Sequence, residues 1–510
     1  MPVTPVVSPS VVTPGLYLSV NLIAGAASTG AGNRRIAILA NKSASGNLTL
    51  DTERRAIASA DEAATAFGPG TLGHLAAKII FQTWPAAPVD AVAPTPGATL
   101  ATLAVTAAGA PTSASVADVD ICGRTTQITW EVGESPTEFA AKIIDWILGE
   151  NDDLPVTAAA GAAGVLNINS KITGMIGNDV IVECKLRAQT GTETLVGAVT
   201  PTKLAGGTTD GALTTALTAL VGRTYRYILP CISNTDAAAT GAANGISKVR
   251  THINLYNEGL DARLQQQVVG YTGTVAAAIA STPHTNSGGN DGTGEMILCI
   301  GGRSMPAEFG AWEVANRALS TSLDPAANRI GELTTYLYGS HDIVADKPTA
   351  AEAEQAIGGG CSLLSYNAQD ALYLMRAVTM HSQTTTGGAD RRLLDTQNVD
   401  AVYDIAEDLQ TALPQEFPNS KITADSDNPT DPLPPRTITP RDIKSFIVSR
   451  MFTWAKLGVV DRTKLQTAVD AGDFIVEINS TDATQVDIVV PASILPPLAK
   501  MGVEVNRVPA

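Results

Sequence analysis

The chain has 510 residues, of which 44% are hydrophobic and only 5% aromatic, and its 50 acidic residues against 34 basic ones give a formal charge of −16. Such a length predicts about two to four domains, each able to bury its own core. The charge balance excludes nucleic acid as a direct ligand over any broad surface, because phosphate contacts need clustered Lys and Arg, and the shortage of rings speaks against a base-stacking or carbohydrate cleft.

A proline-punctuated lead (Pro2, Pro5, Pro9, Pro14) precedes a run in which Leu16, Leu18, Val20 and Leu22 alternate with Tyr17, Ser19 and Asn21. This spacing predicts an amphipathic strand. Neither the lead nor the small-residue stretch Gly25 to Gly32 can close a hairpin on it. The strand therefore completes its own domain's sheet as an edge, or is exchanged between copies, with main-chain ladders supplying affinity. Residues 1–33 form an N-terminal arm. Arg34-Arg35 then leads into a buried strand, Ile36 to Ala40; Ser59 to Glu62 opens a short helix ending at Phe67-Gly68; Leu72, Leu75, Ile79 and Ile80 mark a second helix that stops at Trp84-Pro85.

A proline-rich joint from Pro85 to Pro96 follows, and the texture changes to Thr/Val/Ala alternation over Leu100 to Thr106, Ile121 to Val132, Val165 to Ile168 and Val180 to Leu186, closing at Gly206-Gly207. The single helix of this stretch is signalled by Ser135 as N-cap, Pro136 at N1 and Glu138 at N3, with Phe139, Ile143 and Ile147 facing inward and Gly149 ending it. Residues 88–207 read as a small α+β domain inserted into a larger α/β domain, whose parts are 34–87 and 208–386. In the second part a helix over Leu213, Leu217 and Leu220 alternates with strands at Tyr225 to Pro230, Leu264 to Gly270 and Glu295 to Ile300, with a polar loop from Thr282 to Gly294. The expected class is a multidomain α/β chain, a central sheet with helices on its faces.

Residues 387–510 form a C-terminal α+β region. Val399, Val402, Ala406, Leu409 and Leu413 give a helix closed by Pro414, and the Pro-rich stretch Asp427 to Pro435 joins it to a second helix that starts at Thr439-Pro440-Arg441-Asp442 and carries Ile443, Phe446, Ile447, Met451 and Trp454 on one side. Phe474, Val476 and Ile478, then Val486, Ile488 and Val490, alternate on either side of a turn at Ser480 to Asp482, and Pro491 stops the run. This is a second candidate exchange strand.

Catalytic and metal motifs are incomplete. Gly68 to Gly73 resembles a phosphate loop, but His74 stands where the phosphate-neutralising Lys should be and no Ser or Thr follows to hold a metal. Gly302-Arg-Ser304-Met-Pro306 lacks the closing glycine of a nucleophile elbow, so Ser304 reads as a turn or cap residue, and Gly358 to Ser362 suggests an oxyanion loop without a base. The histidines His74, His252, His284, His341 and His381 show no metal spacing, and Cys122, Cys184, Cys231, Cys299 and Cys361 are far apart in apolar runs, as buried thiols in a reducing compartment would be. No cofactor and no metal are expected. The first 30 residues lack a signal peptide's basic start and apolar core, and there is no apolar run of membrane-spanning length. Synthesis in a cytoplasm without membrane insertion follows as the expectation. Asp390-Arg391-Arg392-Leu-Leu-Asp395 pairs opposite charges around two apolar residues, which fits a salt-bridged interface or a helix start.

Taken in order, Pro14-Gly15-Leu-Tyr17, Ser59-Ala-Asp-Glu with Phe67-Gly68-Pro-Gly-Thr71, the α/β stretch to Arg376-Ala-Val-Thr-Met380, Asp390 to Asp395 and Asp487 to Pro497 resemble the contractile-tail sheath proteins, most closely the sheath of Mu-like phages. The resemblance covers nearly the whole chain. It implies a non-enzymatic virion subunit, made in the host cytoplasm, that stacks as hexameric rings around an inner tail tube between baseplate and tail terminator proteins, and contracts to drive the tube through a host envelope. It also implies subunits linked through exchanged terminal strands, here Leu16, Leu18, Val20 and Leu22 at one end and Val486, Ile488 and Val490 at the other. Asp390, Arg391 and Arg392 are further candidates for inter-subunit contact. The inserted domain departs most from the family pattern. Two other classes stay open: a self-assembling surface-layer protein, which calls for a secretion signal, and an α/β hydrolase using Ser304 or Ser362, which calls for a His and an Asp beside the serine.

Overall fold

A computed structural model describes residues 34–234, 245–257, 262–282, 284–285, 294–333, 337–384, 386–391, 393–425 and 434–496. The candidate strand at Leu16 to Leu22, Arg392 and most of the polar loop from Thr282 to Gly294 lie outside the described residues.

The chain is a mixed α/β multidomain protein with one large mixed sheet and smaller antiparallel ones. The first part contributes β1 (Ile36–Leu39), β2 (Arg54–Ile57), α1 (Ala60–Phe67), α2 (Leu72–Thr83) and β3 (Val89–Val92). Ser59 caps α1 by accepting from the Glu62 N–H. The proline-rich joint is therefore not a linker throughout. Between Pro88 and Pro94 the chain makes a strand buried on both faces, and such a strand shows no alternation to read. The boundary expected at residue 88 moves accordingly, because Val89–Val92 pairs in register with β1.

Next come β4 (Leu100–Ala108), β5 (Ser115–Ile121), β6 (Arg124–Trp130), α3 (Pro136–Gly149), β7 (Val156–Ala160), β8 (Val165–Thr173), β9 (Ile181–Leu186), β10 (Thr194–Val196) and β11 (Thr202–Lys203). They form two four-stranded antiparallel sheets, ordered β10-β4-β8-β7 and β11-β9-β5-β6. Strict alternation in β8 sends Leu166, Ile168, Ser170 and Ile172 inward. Helix α3 starts in a full Ser135/Glu138 capping box and stacks Phe139 on Trp130 with ring centroids 4.3 Å apart.

The chain re-enters the large sheet through α4 (Leu213–Thr218) and β12 (Tyr227–Pro230), followed by α5 (Gly245–Tyr256), β13 (Gln266–Tyr271), α6 (Val275–Ser281), β14 (His284–Thr285), β15 (Glu295–Leu298), α7 (Pro306–Leu323), β16 (Gly331–Glu332), α8 (Ile343–Asp346), α9 (Ala350–Gly358), β17 (Ser362–Tyr366), β18 (Leu372–Arg376) and β19 (His381–Gln383). The sheet order is β16-β18-β17-β15-β13-β12-β1-β3-β2; the strands from β3 to β17 run parallel, and β2, β18 and β16 are antiparallel at the edges. One face buries Ile36, Ile38, Val89 and Ala91 in a core that also holds Phe309 of α7 and runs on into Ile121 and Trp130. The other face buries Ala37, Leu39 and Val92 with Leu217, Ile246, Val249 and Ala356. Helix α7 lies so close to β13 that a Cβ on Gly270 would meet the Pro306 carbonyl oxygen at 1.7 Å.

The last part holds α10 (Thr396–Glu416), β20 (Lys421–Ile422), β21 (Thr437–Ile438), α11 (Pro440–Lys456), α12 (Arg462–Ala471), β22 (Ile475–Ile478) and β23 (Val486–Val489). Pro414 does not close α10. It lies in the final turn, where losing its own N–H removes one bond, and the Phe417 N–H still reaches the Leu413 carbonyl at 3.1 Å. Ala401, Ile405 and Leu409 of α10 pack with Ile447, Met451, Trp454, Leu465 and Phe474, while Val399, Tyr403 and Ala406 pack on Leu264 and Leu393. One helix thus belongs to two cores.

Candidate functional site

The N-terminal arm meets the described structure at Arg34, and that residue is tied down by charge. Its Nη1 donates to Asp404 Oδ1 of α10 at 2.8 Å, and its Nη2 donates to the Thr321 carbonyl of α7 at 3.0 Å. Arg226 reaches the same Asp404 Oδ1 at 2.7 Å and Glu407 at 2.9 Å. One turn earlier on α10, Asp400 takes Arg317 Nε at 2.8 Å, Arg329 Nη1 at 3.2 Å, Tyr227 Oη at 3.0 Å and Gln266 Nε2 at 2.8 Å. Arg317 also donates to Glu295 Oε2 at 3.0 Å, and Glu295 Oε1 accepts from Ser362 Oγ at 2.6 Å. Arg226, Arg317, Glu295 and Glu313 have no exposed surface. A single polar cluster therefore binds β12, β13, β15 and α7 to α10 and to the base of the arm.

Its electrostatics set which groups carry charge. Burial pushes the Asp400 carboxyl up, but the guanidiniums of Arg317 and Arg329 and the bonds from Arg317 outweigh it and hold Asp400 well below the usual carboxylate range. Burial, with Glu295 beside it, holds Glu313 well above that range against the pull of Arg329 and Arg317. The guanidiniums of Arg34, Arg226, Arg317 and Arg329 face the carboxylates of Glu295, Asp400, Asp404 and Glu407, and Arg329 Nε also lies 3.5 Å from Glu313 Oε1.

Sequence reading missed this cluster. The signal was present: Arg226 interrupts the apolar run Tyr225 to Leu229, Glu295 opens another, and Asp400 and Asp404 fall at i, i+4 on the face of α10 that carries Val399 and Tyr403. A charge on a buried face requires a partner, but spacing cannot name it.

At the C-terminal end β22 and β23 pair antiparallel as a two-stranded sheet. Val486, Ile488 and Val490 pack against the core built on Trp454 and Phe474, so their side chains are committed within the chain. The backbone edge is different. The Asn479 N–H donates to the Gln485 carbonyl at 2.9 Å; antiparallel alternation then makes Glu477 and Asp487 a hydrogen-bonded pair and leaves the N–H and C=O groups of Val486 and Ile488 pointing away from β22. Among the described residues no strand pairs with that outer edge.

The charged candidates separate. Asp390 is buried and pairs with His381 Nε2 at 3.0 Å, within its own chain. Arg391 is exposed and reaches Glu354 at 3.3 Å. Asp395 takes Arg376 Nε at 2.8 Å and Nη2 at 3.0 Å and stands at the N-cap of α10.

The serines proposed as nucleophiles have structural partners. Ser304 Oγ accepts from the Tyr338 N–H at 2.9 Å, and Ser362 Oγ, besides Glu295, accepts from the Val378 N–H at 2.8 Å. His74 Nδ1 accepts from the Gly70 N–H at 3.0 Å, bracing the turn that resembled a phosphate loop. The five cysteines are buried free thiols, and burial pushes each up to about 12. Among the described residues no group of His, Cys, Asp and Glu is placed to hold a metal ion, and no helix is long and apolar enough to cross a membrane.

No family model matches the chain, and no curated protein matches it. Among solved structures the chain is similar to the sheath tail protein of Desulfitobacterium hafniense, at 13% identity and a TM-score of 0.45 over 94% of this chain and 100% of that one. It is likewise similar to a sheath tail protein of Listeria innocua, at 14% identity and a TM-score of 0.41 over 89% of this chain and 90% of that one.

Proposed function

We propose that this chain is the subunit of a contractile tail sheath of the Mu-like kind: it polymerises as stacked hexameric rings around an inner tube and contracts to drive that tube through a cell envelope. The observation that carries the reading is the outer edge of β23, with which no strand pairs among the described residues. A short hairpin whose side chains are committed to its own core, yet whose outer strand still offers Val486 and Ile488 backbone groups, is a receptor for an added strand. The alternation of Leu16, Leu18, Val20 and Leu22, ahead of the small-residue stretch Gly25 to Gly32, predicts a strand of the right kind to fill it.

Subunits joined head to tail in this way generate rings or helices, and contraction then requires rigid bodies to slide while strands keep them linked. The buried cluster supports the rigid half of that requirement, since it ties the arm base, the large sheet and α10 together. Residues 1–33 serve as the arm, 34–87 with 208–386 as the α/β body extended by Val89–Val92, and 387–510 as the assembly region. The antiparallel segment from β4 to β11 is an appended domain on that body. Assembly is expected to place the chain in a virion tail, with inner tube, baseplate and terminator proteins as partners. The catalytic reading has less support, because Ser304 and Ser362 have no histidine among their hydrogen-bond partners in the described residues.

Negative-stain electron microscopy of the concentrated full chain tests the assignment. Hollow striated tubes are expected; persistent monomers that turn over an ester would overturn it.

A further inference from the structure

At the β2 edge of the large sheet, three arginines converge on one buried carboxylate. Asp90 of β3 has no exposed surface; it accepts from Tyr225 Oη at 2.6 Å and pairs with Arg223 Nη1 at 2.8 Å, Arg35 Nη1 at 3.2 Å and Arg54 Nε at 3.9 Å. The register explains the convergence. Ala37 of β1 and Ala56 of β2 both lie directly across from Asp90, so Arg35 and Arg54, each two residues away, emerge on the same face as that carboxylate. Arg223 arrives from the loop between α4 and β12.

One guanidinium is enough to neutralise Asp90. Among the described residues Arg54 and Arg223 make no ion pair with any other carboxylate, and their side chains stay 30% and 38% exposed. The result is a positive site, oriented by a buried acceptor, on a chain whose formal charge is −16. Positive charge held half in solvent beside more positive charge is a cost to the isolated molecule, relieved when an anion arrives.

We propose that Arg54 and Arg223, oriented by Asp90 and Tyr225, form an oxyanion-binding site whose occupant is a carboxylate side chain of a second copy of this chain. Three observations favour that occupant. The guanidinium fork matches a carboxylate with two parallel hydrogen bonds. Each copy brings carboxylates in excess, 50 acidic residues against 34 basic, whereas that same excess repels a polyanion. And β2 is, among the described residues, the outermost strand of its sheet, only four residues long and charged at Arg54 and Arg55. Such an edge resists backbone pairing, so contact there is made by side-chain charge and not by strand addition.

The inference rests on the self-assembly reading, and the experiment separates the two. Full-length wild type, the double variant Arg54→Gln/Arg223→Gln and the double variant Arg54→Glu/Arg223→Glu are compared by sedimentation velocity and electron microscopy, with circular dichroism as the check of fold. At low salt the Gln pair should raise the concentration needed for assembly about tenfold and the Glu pair further, and the difference should shrink by about 0.5 M NaCl. Equal thresholds for wild type and the Gln pair would overturn the docking site while leaving self-assembly in place. A wild type that stays monomeric at every concentration would overturn both. A fluorescent duplex oligonucleotide that binds wild type and is lost in the Gln pair would overturn the occupant.

Discussion

Asp400 is the residue on which most of the buried polar cluster depends. Arg317, Arg329, Tyr227 and Gln266 all donate to it, so Asp400→Asn keeps the shape but leaves two buried guanidiniums undercompensated. Removing one partner of a buried pair costs about 3–5 kcal/mol, and urea unfolding followed by circular dichroism should show a loss of that size; a loss below about 1 kcal/mol would mean that water reaches the cluster. The pH dependence has two opposite parts. Asp400, held low in the fold, contributes above its unfolded value of about 3.9 and that contribution fades as pH falls towards the folded value. Glu313, held high, contributes fully below its unfolded value of about 4.3 and loses that contribution as pH rises towards the folded value. Wild type should therefore lose stability relative to Glu313→Gln as pH is raised from about 4.3 towards neutrality. A constant difference across that range would show Glu313 ionised in the fold.

At the scale of elements, the hairpin of β22 and β23 makes a claim about individual N–H groups. Ile488 presents its N–H outward and Asp487 presents its own towards β22. Ile488→Pro removes an outward donor, a position where an edge strand tolerates proline; Ile488→Ala removes a similar amount of packing but keeps the donor. The alanine variant is expected to assemble and the proline variant to remain a folded monomer, read by electron microscopy and light scattering. Assembly by both would show that the β23 edge is not the receptor. Helix α10 illustrates a different lesson. Its spacing predicts a helix, and a helix forms, but Val399 and Leu409 of the same stretch end up in different cores, which is why the apolar positions are spread over more of its surface than a single stripe would need.

At the scale of the whole molecule, the cores of the described residues are built from residues 34 onward. Deleting residues 1–24 should leave a soluble, folded monomer by circular dichroism and abolish polymerisation. If the truncated chain unfolds or aggregates, Leu16 to Leu22 is a strand of its own domain's sheet and the exchange reading is wrong. The segment from β4 to β11 is less separable than its texture suggests. Its core runs continuously into that of α7, and two charge pairs seal the junction: Arg303 with Asp120 at 2.5 Å, and Arg124 with Glu308, whose carboxylate is buried on α7.

Sequence alone determined the local features, because their causes are local. Capping at Ser59, Ser135 and Thr439 depends on residues three apart, the inward face of β8 on a period of two, and the turn between β22 and β23 on Ser480 to Asp482. The α/β class follows from the order of such elements. Tertiary structure decided what depends on residues far apart in the chain. The strand Val89–Val92 was hidden among prolines because burial on both faces erases alternation. Asp400, Asp404, Arg226, Arg317 and Arg329 came together from α10, α7, the residue before β12 and the loop after α7, and Arg35 and Arg54 met at Asp90 only through sheet register, with Arg223 arriving from the loop before β12. A buried charge announces in sequence that it needs a counter-charge; which one it finds is set by how strands and helices pack, and that is a property of the folded chain.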